Sequence, residues 1–219
     1  MTLRPAAAPD SPRSDARRRA IMQVARAAFL ARGYAATSMS EIAAKLGGSK
    51  GTLYNYFRSK EELFEALMAE ICQGPAAEVF GRLPPPRESR DIRESLIDLG
   101  ATLLEFLLRE EMIALHRLVV AEAGRFPELG RMFYEAGPQR GEVRFAEFFE
   151  GAIEAGLVRA ADPKMMGQRL KDLVLSDVYL RRLWGVLEPL SAKALRAHAA
   201  ESVDIFLRAF GKMGTGAIS

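Results

Sequence analysis

Apolar side chains recur along this chain at intervals of three and four, the period of helices with one buried side. Over residues 16–32, Ile21, Val24, Ala25, Ala28 and Phe29 form one stripe, and Gly33 ends the segment. Two short segments follow, and a fourth starts near Lys60 with Leu63, Phe64, Leu67, Met68 and Ile71 on one face. Gly74-Pro75 is expected to bend or end it. Residues 81–90 (GRLPPPRESR) read as a linker, since three consecutive prolines cannot continue a helix. Helical patterns then cover about 91–109, 111–123, 127–136, 138–155, 164–186 and 191–211, punctuated by Gly124, Pro127, Gly137-Pro138, Gly156, Pro163 and Pro189. Val and Ile are scattered, with no alternating run that would make a strand. The expected fold class is all-α, with about nine helices.

The two short segments carry the most information. Ser38 followed by Glu41 is a capping box, which starts a helix at Met39. Ile42, Ala43 and Leu46 give that helix an apolar face, and Gly47-Gly48 stops it. Ser49 is a good N-cap for a second helix, expected to run to about Phe57. Ser59 with Glu62 opens the next. Two short helices across a glycine turn, braced by an amphipathic helix before them, make the pattern of a helix-turn-helix. Leu53 and Phe57, four apart, can pack inward, which turns Thr52, Asn55 and Tyr56 to another face. Hydroxyls, an amide and a phenol there can reach base edges or phosphates. Gly51 lets the helix start approach a DNA backbone closely, and Lys50 and Lys60 flank it as point charges. Tyr54 fits two roles, bracing the packing or touching DNA.

Charge sharpens this picture. Overall the chain has a net charge of only +3, yet residues 1–60 hold eleven Lys or Arg against three acids, a balance of +8. A basic front on a mildly acidic remainder suits a module that docks on phosphate. The 49% hydrophobic content suffices for one large or two unequal domains. No apolar run spans a membrane, the N-terminus lacks the apolar stretch of a secretory signal, and one cysteine, Cys72, cannot form an intramolecular disulfide. A cytoplasmic protein with a buried, inert thiol is expected.

The segment IAAKLGGSKGTLYNYFRSKEELF, with the stretch upstream from Ala20 to Gly33-Tyr34, resembles the DNA-binding segment of the TetR/AcrR family. The resemblance covers roughly a quarter of the chain. It implies a dimeric regulator, usually a repressor, in which ligand binding in a C-terminal domain alters the separation of two reading heads. By matching positions it implies DNA contacts from Ser38, Ser40, Lys50, Gly51, Thr52, Tyr54, Asn55, Tyr56 and Lys60. Gly48 departs from the apolar residue usual at that turn position, which implies a looser turn. Residues 118–138 (LVVAEAGRFPELGRMFYEAGP) and the amphipathic helix after them are similar to the C-terminal domain of an AcrR-like, or AefR-like, subgroup. The implied layout is a tail over 1–15, a DNA-binding domain over 16–62 and a sensing and dimerisation domain over 63–213.

In that last domain, Leu170, Leu173, Val174, Asp177, Arg181 and Trp184 line one helix, with Leu180 and Leu183 nearby. Leu195, Ala199, Val203, Phe206 and Phe210 line the next. Both stripes fit a partner's twin helices or a monomer core. The family resemblance favours a homodimer through helices 164–186 and 191–211, reading a near-palindromic double-stranded operator. His198 is expected at the dimer seam or in solvent. Candidate lining for an effector pocket is Phe106, Met112, His116, Phe133, Phe145, Phe149, Met165 and Trp184, as pockets are mostly apolar with a few polar anchors. Ordinary core explains the same aromatic and Met residues, and His116 fits a hydrogen-bonded structural histidine equally well. The effector, if present, would be a small apolar or amphipathic molecule.

An enzyme lacks parts here: two isolated histidines, no zinc-ligand spacing, no nucleophile elbow. No metal or cofactor is expected. The remaining alternative is a dimeric ligand-binding or protein-interaction module with a vestigial DNA head, against which the intact face at Thr52, Asn55 and Tyr56 argues.

Overall fold

Short polar side chains open the helices of this chain. The computed structural model describes residues 12–81 and 91–212, which form ten helices. In order they are α1 (Pro12–Ala36), α2 (Met39–Lys45), α3 (Lys50–Tyr54), α4 (Lys60–Gly81), α5 (Ile92–Leu107), α6 (Glu110–Ala123), α7 (Pro127–Ala136), α8 (Pro138–Glu154), α9 (Pro163–Leu183) and α10 (Ala192–Phe210). Ser38, Ser49, Asp91, Asp162 and Ser191 sit at N-caps, each accepting from a backbone N–H of the first turn. No strand occurs among the described residues; Val158 and Gly211 share one antiparallel bridge. None of the described helices is long and apolar enough to cross a membrane. The proline-rich linker expected at 81–90 lies, apart from Gly81, outside the described residues.

Of the two outcomes expected at Gly74-Pro75, an end is not found: α4 continues to Gly81. A proline removes one backbone donor, and a helix with a buried face on both sides of it tolerates that loss. Leu63, Phe64, Leu67 and Met68 before it, and Val79 and Phe80 after it, are all buried. Cys72 is buried as well, and loss of solvation pushes its thiol up to about 11.

The chain divides into two compact units. The first holds residues up to Ile71 together with Arg117–Phe133. Its centre is an aromatic group in which Phe29, Tyr34, Phe64 and Phe126 lie with ring centroids 5.2–5.6 Å apart. Gly33, at φ 83° and ψ 167°, breaks α1 where the sequence ends its helical pattern. The Glu122 carboxylate occupies the space beside it, 2.8 Å from where a Cβ would sit, and accepts from Ala35 N at 3.0 Å. The bare backbone at 33 therefore admits a carboxylate that satisfies an amide freed by the break.

The second unit takes Cys72–His116 and the chain from Tyr134 onward. Here α5, α8, α9 and α10 pack together around Leu96, Leu104, Phe149, Met166, Val174, Ala199 and Phe206. Gly100 on α5 sits against Val174 and Ala199, so an added Cβ would come within 3.2–3.3 Å of both. Arg93 forks onto Asp204 at 2.7 and 2.9 Å, tying the start of α5 to α10. Helix α9 is kinked at Ser176 (φ 38°, ψ −142°). Two residues of α10 catch carbonyls beside this kink: His198 Nε2 bonds Val174 O at 2.9 Å and Ser202 Oγ donates to Leu173 O at 3.1 Å. His198, half-buried, thus binds the protein's own backbone.

Candidate nucleic-acid interface

The helix-turn-helix is built from α2, the turn at 46–49 and α3, resting on α1. Ser38 Oγ accepts from Glu41 N at 3.2 Å, half of the expected capping box. The other half is absent because the Glu41 carboxylate turns to Arg32 at 2.5 Å and Lys45 at 3.3 Å. Those two cations hold its pKa below the usual range against the opposing effect of desolvation. At Ser59 the box closes one residue early, with Arg58 N donating to Glu62 Oε2 at 2.6 Å and Glu62 N to Ser59 Oγ at 3.1 Å.

The turn is tighter than its glycine pair implies. Gly47, at φ 63°, donates to Ala44 O at 3.1 Å, and Gly48 N donates to Ala43 O at 3.2 Å. These are the paired bonds of a Schellman closure, so the looser turn expected from Gly48 is not found. Arg17 of α1 fills the place of the missing side chain, with Nη2 2.7 Å from where a Cβ of Gly48 would lie.

Helix α3 is shorter than expected. It ends at Tyr54, with Asn55 as C-cap, and hydrogen bonds from Tyr56 N and Phe57 N to Leu53 O finish the turn. Burial of Leu53 and Phe57, at 2% and 1% exposure, pins this segment to the body of the first unit. The opposite side is open: Ser40, Lys50, Gly51, Tyr54 and Asn55 are exposed, and Thr52 and Tyr56 half-exposed. Ser38 is exposed beside them. Tyr54 is 43% exposed. Thr52 Oγ1 lies 3.0 Å from Ser49 Oγ, which orients its hydroxyl.

Lys60 is placed differently. Its ammonium donates to Tyr34 O at 3.0 Å and Thr37 O at 3.1 Å, and stands 4.1 Å from the centre of the Tyr34 ring. It closes the carbonyl end of α1 with charge, hydrogen bonds and a cation–π contact. The Tyr34 hydroxyl in turn donates to Glu61 Oε1 at 3.0 Å, and burial first, then that carboxylate, raises the phenol's pKa. No sequence signal beyond spacing marked this arrangement.

The residues expected to line an effector pocket are divided between the two units. Phe145 and Phe149 are fully packed core, with Phe106 and Met165 against that core. Met112 and His116 are buried, and His116 meets the Tyr179 ring edge-on at 5.4 Å. Phe133 belongs to the first unit. Trp184 is 68% exposed at the C-cap of α9. A groove of about 260 Å³ in the second unit is lined by other residues, among them Leu108, Arg109, Arg182 and Leu190. The helix stripes also need correction. Leu170, Val174, Leu195, Ala199, Val203 and Phe206 are all within this chain's own core. The exposed apolar side chains of this region are Leu180, Trp184, Val186 and Ile205.

A two-helix reading head with an open polar face, joined to a larger helical unit, defines a helix-turn-helix DNA-binding regulator. The family model for bacterial regulatory proteins of the TetR family matches residues 21–67, and that for the AefR-like transcriptional repressor C-terminal domain matches 94–212. The chain belongs to the TetR family of transcriptional regulators. Among solved structures it is similar to a TetR-family regulator from Mesorhizobium loti, at 33% identity and TM-score 0.82, over 92% of this chain and all of that one. It is similar also to the flavonoid-responsive regulator FrrA, at 32% identity and TM-score 0.77, over 91% of this chain and all of that one. The HTH-type transcriptional regulator YhgD of Bacillus subtilis is 25% identical over 74% of this chain and 83% of its own.

Proposed function

We propose that the protein is a homodimeric repressor that reads a near-palindromic operator and releases it on binding a small apolar or amphipathic effector. The observation that carries this reading is the two-sidedness of residues 50–57, with Leu53 and Phe57 sealed inward and Lys50, Gly51, Tyr54 and Asn55 open. In the proposed complex Thr52, Asn55 and Tyr56 read base edges in the major groove, with Tyr54 beside them. Ser38, Ser40, Lys50 and Gly51 contact phosphate. Lys60 contributes its remaining N–H to phosphate while bracing α1. Residues 16–62 act as the DNA-binding domain and 63–213 as the sensing and dimerisation domain.

The dimer would use α9 and α10, with the exposed apolar side chains Leu180, Trp184, Val186 and Ile205 as candidates for its seam. An aromatic effector is the first class to try, given the flavonoid-responsive relative. Selecting bound duplexes from a random-sequence pool tests the reading. Recovery of a motif with two-fold symmetry is the expected result. Recovery of no motif, with wild-type binding absent even at low salt, would remove the regulator reading.

A further inference from the structure

The first helix carries two adjacent arginines beside the reading head. Arg18 is settled, its guanidinium 5.1 Å from the centre of the Phe57 ring. Arg17 is not. It lies upstream of the residues 21–67 matched by the model for TetR-family regulatory proteins. Its side chain crosses the helix-turn-helix turn and, with Ser49, Thr52 and Leu53, lines a narrow cleft at the start of α3. Among the described residues no carboxylate pairs with it, and its hydrogen bond, from Nη2 to Leu46 O, is long at 3.5 Å. A guanidinium has five N–H donors in a fixed fork that matches phosphate. One long bond leaves most of that capacity unused. The space it occupies exists because residue 48 is glycine: a Cβ there would lie 2.7 Å from Nη2.

Resting on the DNA-binding reading above, we infer that Arg17 is a phosphate clamp seated over the turn, held beside Ser49 and Thr52 by the vacancy at Gly48. The turn does not need that vacancy for its own geometry. Gly47 supplies the positive φ, and Gly48 has no such requirement. The Gly48 backbone makes its bond to Ala43 O whatever its side chain. Since the atom that a Cβ would meet is the far end of a flexible side chain, Gly48→Val should leave the turn intact and displace the guanidinium.

The test measures the affinity of wild type, Arg17→Gln, Arg17→Lys, Gly48→Val and the Arg17→Gln/Gly48→Val double variant for a random-sequence 30-base-pair duplex across a salt series. Neutralising one phosphate contributes a slope of about 0.9 to log K against log salt. The expected result is that Arg17→Gln and Gly48→Val each lower the slope by about 0.9 per bound protomer, that the double variant loses no more than either, and that Arg17→Lys recovers most of it. Thermal midpoints are measured alongside, because a merely structural role would move the midpoint and leave the slope. An unchanged slope in Arg17→Gln, with wild type binding, overturns the clamp. A lowered slope in Arg17→Gln with none in Gly48→Val overturns the positioning by Gly48. Absence of wild-type binding at low salt is a different failure, that of the regulator reading itself.

Discussion

At the scale of single residues, His116 shows how burial turns an ambiguous side chain into a measurable quantity. In the sequence it fits a ligand anchor or a structural histidine. In the structure it is 9% exposed and stacked edge-on with Tyr179, and burial lowers its pKa to about 4, opposed by a smaller hydrogen-bond effect at Met112. A base whose folded pKa lies below its unfolded value of about 6.5 destabilises the fold as protons are added. The contribution is complete above pH 6.5 and is lost as pH falls toward 4, reaching about 3 kcal/mol at the lower end. Chemical denaturation of wild type and His116→Phe at pH 7 and pH 4.5 measures it. The variant should lose less stability on acidification than wild type by about 2–3 kcal/mol; an equal loss in both would mean that His116 is solvated. Lys60 teaches the converse. Its spacing in the sequence reads as a free phosphate contact, whereas folding commits two of its three donors to the carbonyls of Tyr34 and Thr37.

At the scale of elements, most boundaries were legible because caps are local chemistry. Ser38, Ser49 and Gly33 mark them in the sequence and in the structure. What local patterns could not give was which side of a stripe meets what. The apolar rows of 164–186 and 191–211 fit a partner and a core equally, and only packing against α5 and α8 assigns them to the core. The passage of α4 through Pro75 was hidden for a similar reason, since tertiary burial outweighs one missing donor. The kink at Ser176 left no sequence signal at all. A non-glycine residue held at φ 38° stores about 1–3 kcal/mol. Ser176→Gly should therefore raise stability by about 1 kcal/mol, read as a shift in the denaturation midpoint. In an unkinked helix the same change lowers stability by a similar amount, so the sign alone decides.

At the scale of the whole molecule, the helix-turn-helix motif carries family membership and the all-α architecture, and assembly is a matter for the proposed seam. The exposed Leu180, Trp184, Val186 and Ile205 supply the proposed seam. Replacing Trp184 and Ile205 together by Asp should shift the sedimentation coefficient from dimer to monomer at micromolar concentration and reduce operator affinity at least tenfold, since each half-site is then bound alone. An unchanged dimer would move the seam elsewhere. Lining for an effector pocket was the least legible expectation. Aromatic and sulfur character does not by itself tell lining from core: Phe145 and Phe149 are buried in the core while Trp184 is exposed, because pocket formation depends on what packing leaves empty and not on residue type.

The open face of residues 50–57 bears all of this, and discrimination between sequences interrogates it directly. The measurement is the affinity ratio between the selected operator and a scrambled duplex of equal length, at fixed salt, for wild type and for Asn55→Ala and Tyr56→Ala. Wild type should favour the operator by about a thousandfold or more. Each variant should lose about 1–3 kcal/mol on the operator and almost nothing on the scrambled duplex. Equal losses on both duplexes, or no preference in wild type, would contradict base reading by this face.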